Sequence, residues 1–189
     1  MDGKRNKIRR SDRQESDINY LLHVLETSMT CTIAISSEDY PWIHSTFFVF
    51  DKENQDIVFH FSKYGYGGQQ IQNDKKISIS IFKYGKLYAA DKAVDFGGEY
   101  QSIIVYGKVR IIENETEKMD AMKLFFNKYF GNVSNSNYKS FTPLEAHPIY
   151  VIKVKIEEWF GKQHLVPEKA NEAYYSELGS MISFRKDHP

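Results

Sequence analysis

The sequence predicts a mainly β protein, an antiparallel sheet or barrel with peripheral helices. About six strand-like segments follow one another as consecutive hairpins, whereas only two segments have a clear helical period. Strands that alternated with helices would instead predict a parallel, doubly wound sheet. Aromatic residues make up 15% of the 189 residues, and such side chains favour strands and line pockets for flat ligands.

The N-terminal half begins with a predicted helix over residues 16–28, for which Ser16 is the expected N-cap. Its apolar residues recur at helical spacing, which places them on one face. Three apolar runs then predict strands at residues 29–36, 42–51 and 57–62. A short polar helix is expected over residues 66–74, beginning within a cluster of glycines.

The C-terminal half adds the remaining strands and the second clear helix. Apolar and polar residues alternate over residues 77–82, as in a half-buried strand. Residues 84–99 are expected to form a long loop or an edge hairpin, and residues 100–112 a long strand. A helix is predicted over residues 115–130, because its apolar side chains share one face. A polar loop and the last strand follow, at residues 131–147 and 149–156.

Composition and charge exclude several classes of function. The 25 basic and 25 acidic residues balance, which argues against nucleic acid as the main partner. No apolar stretch approaches the length of a membrane span, and the single cysteine, Cys31, is expected to be buried and inert. These features predict a cytoplasmic protein without a membrane partner. Its expected divisions are a basic arm (1–10), one domain (11–163) and a polar tail (164–189).

Three glycines within four residues follow the third predicted strand. Because Gly65, Gly67 and Gly68 lack side chains, the backbone N–H groups of this turn can face a single point, an arrangement that suits a phosphate. A flexible turn between two elements explains the same glycines without any ligand.

Few other residues form a chemical pattern. The chain contains no HExxH, CxxC, Walker or GxSxG motif. His44 and His60 lie on strands expected to be neighbours, but two histidines without carboxylates or thiolates make an incomplete site, so no metal is predicted. Tyr100 and Ser102 lie two residues apart on a strand and therefore share a face. Alone, they are equally typical of an ordinary sheet with a bulge at Gly107.

Several segments, taken in order, carry a family resemblance. They are Arg10–Arg13, Tyr40–Pro41, Phe47–Asp51, Ile57–Gly65, Tyr100–Gly107, Glu113–Ala121 and Gly161–Lys162. Together they resemble the pyridoxamine 5′-phosphate oxidase-like split-barrel flavoproteins, most of all the branch that contains the nitroimidazole-resistance reductases. The similarity covers roughly residues 9–163, and the strand from Tyr100 to Gly107 is very close to the family's Tyr-x-Ser-Val-Ile-x-x-Gly.

The resemblance implies a six-stranded split β-barrel that forms a homodimer, with FMN in a cleft between the protomers. It further implies an FMN-dependent oxidoreductase, nitroreductase-like, that reduces a small-molecule electron acceptor. His60 matches the family's strand histidine near the flavin and is the expected catalytic residue. The alternative interpretation is a packed, hydrogen-bonded strand histidine. The residues expected to contact the cofactor are Phe47, Phe48, Val49, Ser62, Lys63, Gly65, Gly67, Gly68, Gln69, Tyr100 and Ser102.

One position departs from the family's pattern. The family follows its glycine turn with a lysine or arginine that neutralises the FMN phosphate, and Gly67 stands at that position here. Loss of a charge-assisted contact costs about 1.5–3 kcal/mol, or roughly tenfold or more in affinity. The turn's backbone amides, Lys63 or an N-terminal arginine could compensate. The alternatives are another ligand in the cleft or an empty cleft. Replacing Gly67 with lysine is therefore expected to tighten FMN binding, provided that the backbone there does not require a positive φ.

A binding module without turnover is the competing class of function. In it, flavin or haem is a ligand or a sensor, and split barrels of this kind also bind a deazaflavin. A haem would need a histidine free to act as axial ligand, a role open to His44 or His60. The absorption spectrum of the purified protein distinguishes these alternatives.

Overall fold

A computed structural model describes residues 9–167 and 173–174. Within these residues the chain forms nine strands and four α-helices. The strands are β1 (Gln14–Glu15), β2 (Thr30–Ile35), β3 (Trp42–Phe47), β4 (Val49–Asp51), β5 (Asp56–Ser62), β6 (Lys76–Tyr88), β7 (Gly97–Ile111), β8 (Ile149–His164) and β9 (Ala173–Tyr174). The helices are α1 (Ile18–Thr27), α2 (Tyr66–Gln70), α3 (Glu115–Phe130) and α4 (Pro143–Ala146).

The strands form one antiparallel sheet in the order β3-β2-β6-β7-β8-β5-β4, with β1 paired to β8 and β9 to β6. The first and last strands of this order, β3 and β4, are consecutive in the chain, and Phe48 alone separates them. The sheet must therefore curl until its two edges meet at this residue. This is the mainly β split barrel that the sequence predicts.

The core lies inside the curled sheet. Alternate residues of each strand point inward, so the central strands contribute fully buried side chains such as Ile33, Ile79, Ile103 and Phe59. Helix α1 adds Leu21, Val24 and Leu25 to the same cluster. Cys31 is also buried, as expected, and burial raises the pKa of its thiol to about 12, which keeps it protonated.

Helix α3 covers the outer face of β4, β5 and β8. Its buried residues Ala121, Met122 and Phe125 pack against that face. Its N-cap is Asn114, whose side chain accepts a hydrogen bond from the Glu117 amide at 2.9 Å. No helix in the described part of the chain has the length and apolar composition needed to cross a membrane.

The structure corrects several predicted boundaries. Helix α1 is capped by Asp17 rather than Ser16, because the Asp17 carboxylate accepts from the Asn19 amide at 2.9 Å. The predicted strand 42–51 is divided at Phe48, and β1 and β9 are additional short strands, so the count is nine rather than six.

Of the two alternatives for residues 84–99, the structure shows the hairpin, and the predicted tail begins as strand. Half of residues 84–99 extend the hairpin of β6 and β7, and residues 89–96, which include a 3₁₀ turn at 93–95, connect the two strands. Strand β8 continues eight residues beyond Ile156 to His164, so a residue expected in the polar tail belongs to the sheet. Most of that tail, and most of the basic arm, lies outside the described residues.

Gly107 marks a bulge, as its position in a strand predicts. The register of β7 against β8 shifts between Tyr106 and Gly107. A Cβ atom on Gly107 would overlap the carbonyl oxygen of Lys155 and lie 2.7 Å from Val154 Cγ1. The glycine therefore allows β8 to approach closer than any side chain would permit.

Candidate cofactor-binding site

The outer face of β3, β2, β6 and β7 presents small hydroxyl side chains beside two exposed aromatic rings. Thr32 pairs in register with Ser45 on one side and Ser80 on the other. Phe47 pairs with Thr30, and Phe82 lies two residues beyond Ser80, so both rings lie on the same side of these hydroxyls, with 56% and 61% of their surfaces exposed. We call this surface the outer patch; its residues are Thr32, Ser45, Phe47, Ser78, Ser80, Phe82 and Ser102. It offers both hydrogen-bonding groups and stacking surfaces to a flat ligand.

An aromatic pocket of about 340 Å³ adjoins the outer patch. Phe82 belongs to both, because its ring stacks on Tyr100 with centroids 5.8 Å apart and an interplanar angle of 25°. The pocket is lined chiefly by Arg13, Phe82, Tyr84, Tyr88, Tyr100 and His164. Tyr100 and Ser102, which the sequence analysis selected, thus lie at the junction of patch and pocket.

Arg13 supplies the pocket with a positive charge. Its Nη1 donates to the Tyr100 hydroxyl at 3.5 Å, and its guanidinium carbon lies 6.0 Å from the centre of that ring. Its Nε makes no hydrogen bond among the described residues, but it lies 4.0 Å from the Asp12 carboxylate and forms an ion pair with it. Asp12 therefore already offsets part of this charge, and the remaining N–H groups of the guanidinium are the ones able to bind a further anionic group.

Tyr100 is the only one of the six chief pocket residues that was selected from the sequence, and Arg13, Tyr88 and His164 are among those that were not. Arg13 belongs to a segment that carries the family resemblance, and this was the sequence signal that could have identified it as a site residue. Tyr88 lay in a region predicted as a long loop or an edge hairpin, and His164 lay in the predicted tail. Their role depends on the extensions of β6 and β8, and these form through pairing with β7 rather than through a local pattern.

Packing explains two glycines of the predicted phosphate turn. A Cβ on Gly67 would lie 2.6 Å from the ring of Trp42, and one on Gly68 would lie 2.7 Å from the Lys63 carbonyl oxygen. Neither residue has a positive φ. Lysine at position 67 would therefore fit the backbone but displace Trp42. This obstacle removes the expectation that the substitution would tighten FMN binding.

The turn nevertheless exposes polar groups next to a cation. Ser62 and Gln69 are exposed and Lys63 is half-buried, with its Nζ 5.5 Å from the centre of the Tyr150 ring. Gly65 is the N-cap of α2. The turn thus keeps side chains able to bind a phosphate, although close packing alone explains the presence of two of its glycines.

Only one of the three residues expected at the end of β3 faces outward. Phe47 is exposed, whereas Phe48 and Val49 are buried in the core, so their side chains cannot line a cleft. Residues at the C-terminal end of α3 hydrogen-bond to the backbone of Phe48. The Phe48 amide donates to the Tyr129 hydroxyl at 3.1 Å, and its carbonyl accepts from Lys128 Nζ at 3.0 Å. Burial lowers the pKa of Lys128 to about 8.

His60 and His44 are both packed among aromatic rings. His60 lies beneath α3 with its ring 5.2 Å from Phe125, and its Nδ1 is buried without a hydrogen-bond partner among the described residues. His44 stacks on Trp42 at 5.3 Å and meets the edge of Phe61 at 5.1 Å. The described residues contain no cluster of three or more potential metal ligands. The catalytic role of His60 stays a prediction, and its surroundings are those of a core residue.

Replacing His60 with glutamine is expected to remove part of the loss of stability at acidic pH. Burial lowers the pKa of His60 below its ordinary 6.5, so the unfolded chain binds the proton more readily. The stability contributed by neutral His60 is complete above 6.5 and is lost as the pH falls below that value. Urea unfolding at about pH 7.5 and about pH 5.5 measures the effect.

The matched control for this experiment is His23→Gln, at an exposed position on α1. Wild type and the control should lose similar stability between the two pH values, and His60→Gln should lose less. An equal loss in all three proteins would show that His60 is solvated, as a substrate-facing residue would be.

A single chain does not bring all the predicted cofactor residues together. The glycine turn packs on Trp42 at the start of β3, and Phe47 ends that strand about 17 Å away at the usual rise per residue. Phe47 and Ser102 are separated by three strand spacings, or about 14 Å. Patch and pocket form one continuous surface, and the turn lies apart from it.

Comparisons with known proteins identify relatives of this fold. The family model described as pyridoxamine 5′-phosphate oxidase matches residues 18–163. No curated protein sequence matches the chain. Similar solved structures include the flavocytochrome Anf3 from Azotobacter vinelandii, with a TM-score of 0.77 and 16% identity over 96% of this chain and 82% of that chain.

Two further solved structures share the fold. The FAD and haem binding protein from Mycobacterium smegmatis has a TM-score of 0.73 and 16% identity, over 84% of this chain and 77% of that one. A candidate 5-nitroimidazole antibiotic resistance protein from Bacteroides thetaiotaomicron has a TM-score of 0.64 and 18% identity, over 79% and 86%. At these identities the likeness establishes the fold.

Proposed function

We propose, since the chain belongs to the pyridoxamine 5′-phosphate oxidase family, that it is an FMN-dependent oxidoreductase that reduces a small-molecule acceptor. The observation that supports this most is the outer patch, where hydroxyl groups lie beside exposed aromatic rings. Bound FMN would supply the electron-transfer chemistry. The protein would supply binding, orientation and charge.

The residues present fit a flavin. The hydroxyl groups of Ser80 and Ser102 suit the polar edge of a flat ring system, and the rings of Phe47 and Phe82 suit its faces. The phosphate would be held at the glycine turn by Ser62 and Lys63. The separation of turn and patch within one chain favours a homodimer, in which the turn of one copy approaches the patch of the other.

FMN is expected to bind more tightly than riboflavin, which lacks the phosphate, and Lys63→Ala should remove most of this preference. A charge-assisted contact contributes about 1.5–3 kcal/mol, or roughly tenfold or more in affinity. Calorimetric titration of wild type and variant with FMN, FAD and riboflavin measures the preference.

The control variant is Lys52→Ala, on the turn between β4 and β5, where the lysine pairs with Glu26 at the surface. This variant should keep the wild-type preference. Equal affinity of the wild type for FMN and riboflavin would contradict the phosphate site at the turn. Failure to bind any of the three flavins would contradict the proposed function itself.

Ser80→Arg is expected to convert the dimer to monomer and to weaken FMN binding by at least about tenfold. Ser80 lies at the centre of the outer patch, so an arginine there would bury an unpaired charge between the two copies. Light scattering gives the mass, and titration gives the affinity. Thr116→Arg, at an exposed position on α3, should change neither. A wild-type protein that is monomeric at micromolar concentration would contradict the dimer.

Haem is the second candidate ligand, and the aromatic pocket is the observation that favours it. Two similar structures are a flavocytochrome and a haem-binding protein by name. In this chain the pocket combines five aromatic rings, an arginine, a histidine and the carboxylate of Glu99. Aromatic rings suit the faces of a flat macrocycle, and an arginine suits a carboxylate.

A further inference from the structure

We infer that Tyr20 and Tyr129 are positioning residues for flavin binding, and that each fixes one end of the outer patch. Tyr20 acts through Ser102, and Tyr129 acts through Phe47. The inference rests on the proposed function, because it takes the outer patch as the surface that holds the flavin ring. The two tyrosines come from α1 and α3, and neither is among the site residues that the sequence predicts.

Tyr20 reaches from α1 to the strand that carries Ser102. Its hydroxyl accepts a hydrogen bond from the Ser102 amide at 3.1 Å and donates one to the Lys162 carbonyl oxygen at 2.6 Å. Ser102 and Lys162 pair in register across β7 and β8, so the hydroxyl bridges the two strands at this pair. The backbone position of Ser102 therefore depends on a side chain of α1.

Gly161 provides the space that the Tyr20 ring occupies. A Cβ atom at position 161 would lie 2.9 Å from Tyr20 Cε1 and 2.8 Å from the carbonyl oxygen of Glu15. A residue with a side chain would therefore push the ring away from the strand pair. Gly161 belongs to one of the segments that carry the family resemblance, and its contact with Tyr20 gives this glycine a physical reason.

Tyr129 makes an equivalent bridge at the other end of the outer patch. Its hydroxyl accepts a hydrogen bond from the Phe48 amide at 3.1 Å and donates one to the Met29 carbonyl oxygen at 2.6 Å. Its ring also meets the Phe47 ring edge to face, with centroids 5.3 Å apart and an interplanar angle of 74°. Phe47 is thus held by a ring contact and by the anchored backbone of the next residue.

Both tyrosine hydroxyls are acceptor and donor at once. Burial raises the pKa of each to about 12, so each keeps the proton that it donates. Without the hydroxyl, an amide and a carbonyl would lose their partner and the backbone beside the patch would be released. A binding group must lie within about 0.5 Å of its productive position, so this release should weaken flavin binding.

The test is a set of double-mutant cycles in which FMN affinity is measured by calorimetric titration of the purified full chain. Tyr20→Phe and Tyr129→Phe should each weaken FMN binding by about threefold to tenfold. Tyr20→Phe should cost less than about twofold once Ser102→Ala is present, and Tyr129→Phe less than about twofold once Phe47→Leu is present.

Each tyrosine is the matched control for the other. The crossed pairs, Tyr20→Phe with Phe47→Leu and Tyr129→Phe with Ser102→Ala, should be additive, because the two ends of the patch are about 14 Å apart. The visible circular dichroism of bound flavin is a second readout, which a loss of stability alone would not change. Tyr20→Phe should alter this spectrum in the same sense as Ser102→Ala.

Additive effects in every cycle, or wild-type FMN affinity in both tyrosine variants, would overturn the inference and leave the proposed function intact. FMN binding that neither Ser102→Ala nor Phe47→Leu weakens would place the flavin away from the patch and also overturn it. A wild type that binds no FMN would remove the proposed function as well.

Folding of the variants is checked by far-ultraviolet circular dichroism. If Tyr20→Phe does not fold, Gly161→Ala takes its place in the same cycle, since it displaces the ring and keeps the hydroxyl. An unfolded Tyr129→Phe would assign that hydroxyl to stability and overturn its part of the inference.

Discussion

Replacing Lys153 with methionine is expected to lower the free energy of unfolding by about 3–5 kcal/mol. Lys153 is buried on β8 beneath α3, and its Nζ lies 3.0 Å from Asp51 and 3.3 Å from Glu117. Methionine fills a similar volume, so the lost stability measures the removal of the charge rather than the creation of a cavity. The Asp51 carboxylate, equally buried, would be left without its cation, and an uncompensated buried charge is strongly destabilising.

The control for this change is Lys123→Met, at the exposed surface of α3. Lys123 pairs with Asp120 at 2.7 Å, but both side chains are mostly in solvent. A surface pair of this kind contributes about 0–1 kcal/mol. Urea denaturation of both variants measures the difference. Equal, small losses would show that water reaches Asp51 and that α3 does not seal this face.

The same pair has a defined pH range. Burial alone would raise the pKa of Asp51, but hydrogen bonds from Asn54 and Lys153 outweigh it and hold the pKa below its ordinary 3.8. This contribution to stability is present above 3.8 and is lost as the pH falls through the lower value of the folded state. In Lys153→Met, the acid side of the stability profile should therefore move to higher pH.

Replacing Gly107 with alanine is expected to cost at least about 3 kcal/mol of stability. The added methyl group would overlap the backbone carbonyl of Lys155 and press on Val154. Backbone cannot rotate away as the end of a flexible side chain can. The alanine would therefore separate β7 from β8, which form the most extensive strand pair of the sheet.

Gly65→Ala is the matched control for Gly107→Ala. The same methyl group at Gly65 would find its nearest neighbour, the Ser62 carbonyl oxygen, at an ordinary 3.8 Å. Its cost is confined to the weaker N-capping of alanine, below about 1 kcal/mol. Thermal or urea unfolding of the two apo proteins compares them. Similar stabilities of the two variants would mean that the backbone at the bulge moves to accommodate the added methyl group.

The sequence predicted the elements that depend on local pattern. Helix α3 has the predicted bounds, because its apolar spacing and the Asn114 cap are both local. The long extension of β8 was missed and that of β6 was only one of two alternatives, since their outer halves are polar or aromatic and become strand only by pairing with β7. The sequence analysis placed Phe48 inside a strand. An apolar residue gives no sign of whether a strand continues through it or ends there.

The candidate site was predicted in part for the same reason. The resemblance selected Tyr100, Ser102 and Phe47, which the structure places on the outer face. Sequence spacing could not show that Trp42 fills the space beside Gly67, or that α3 covers His60. Contacts between segments far apart in the chain decide both. The pairing of Lys153 with Asp51 spans 102 residues and left no local signal either.

The single residue that joins β3 to β4 has a kinetic consequence. Phe48 is held by Tyr129, 81 residues further along the chain, so the barrel's seam closes only after a long loop has formed. Contacts of such large sequence separation form late and slowly. In the native state, fraying of the last turn of α3 is enough to release the Phe48 amide. Hydrogen exchange at this amide should therefore follow a local opening of the seam, with a lower free energy than exchange from the central strands.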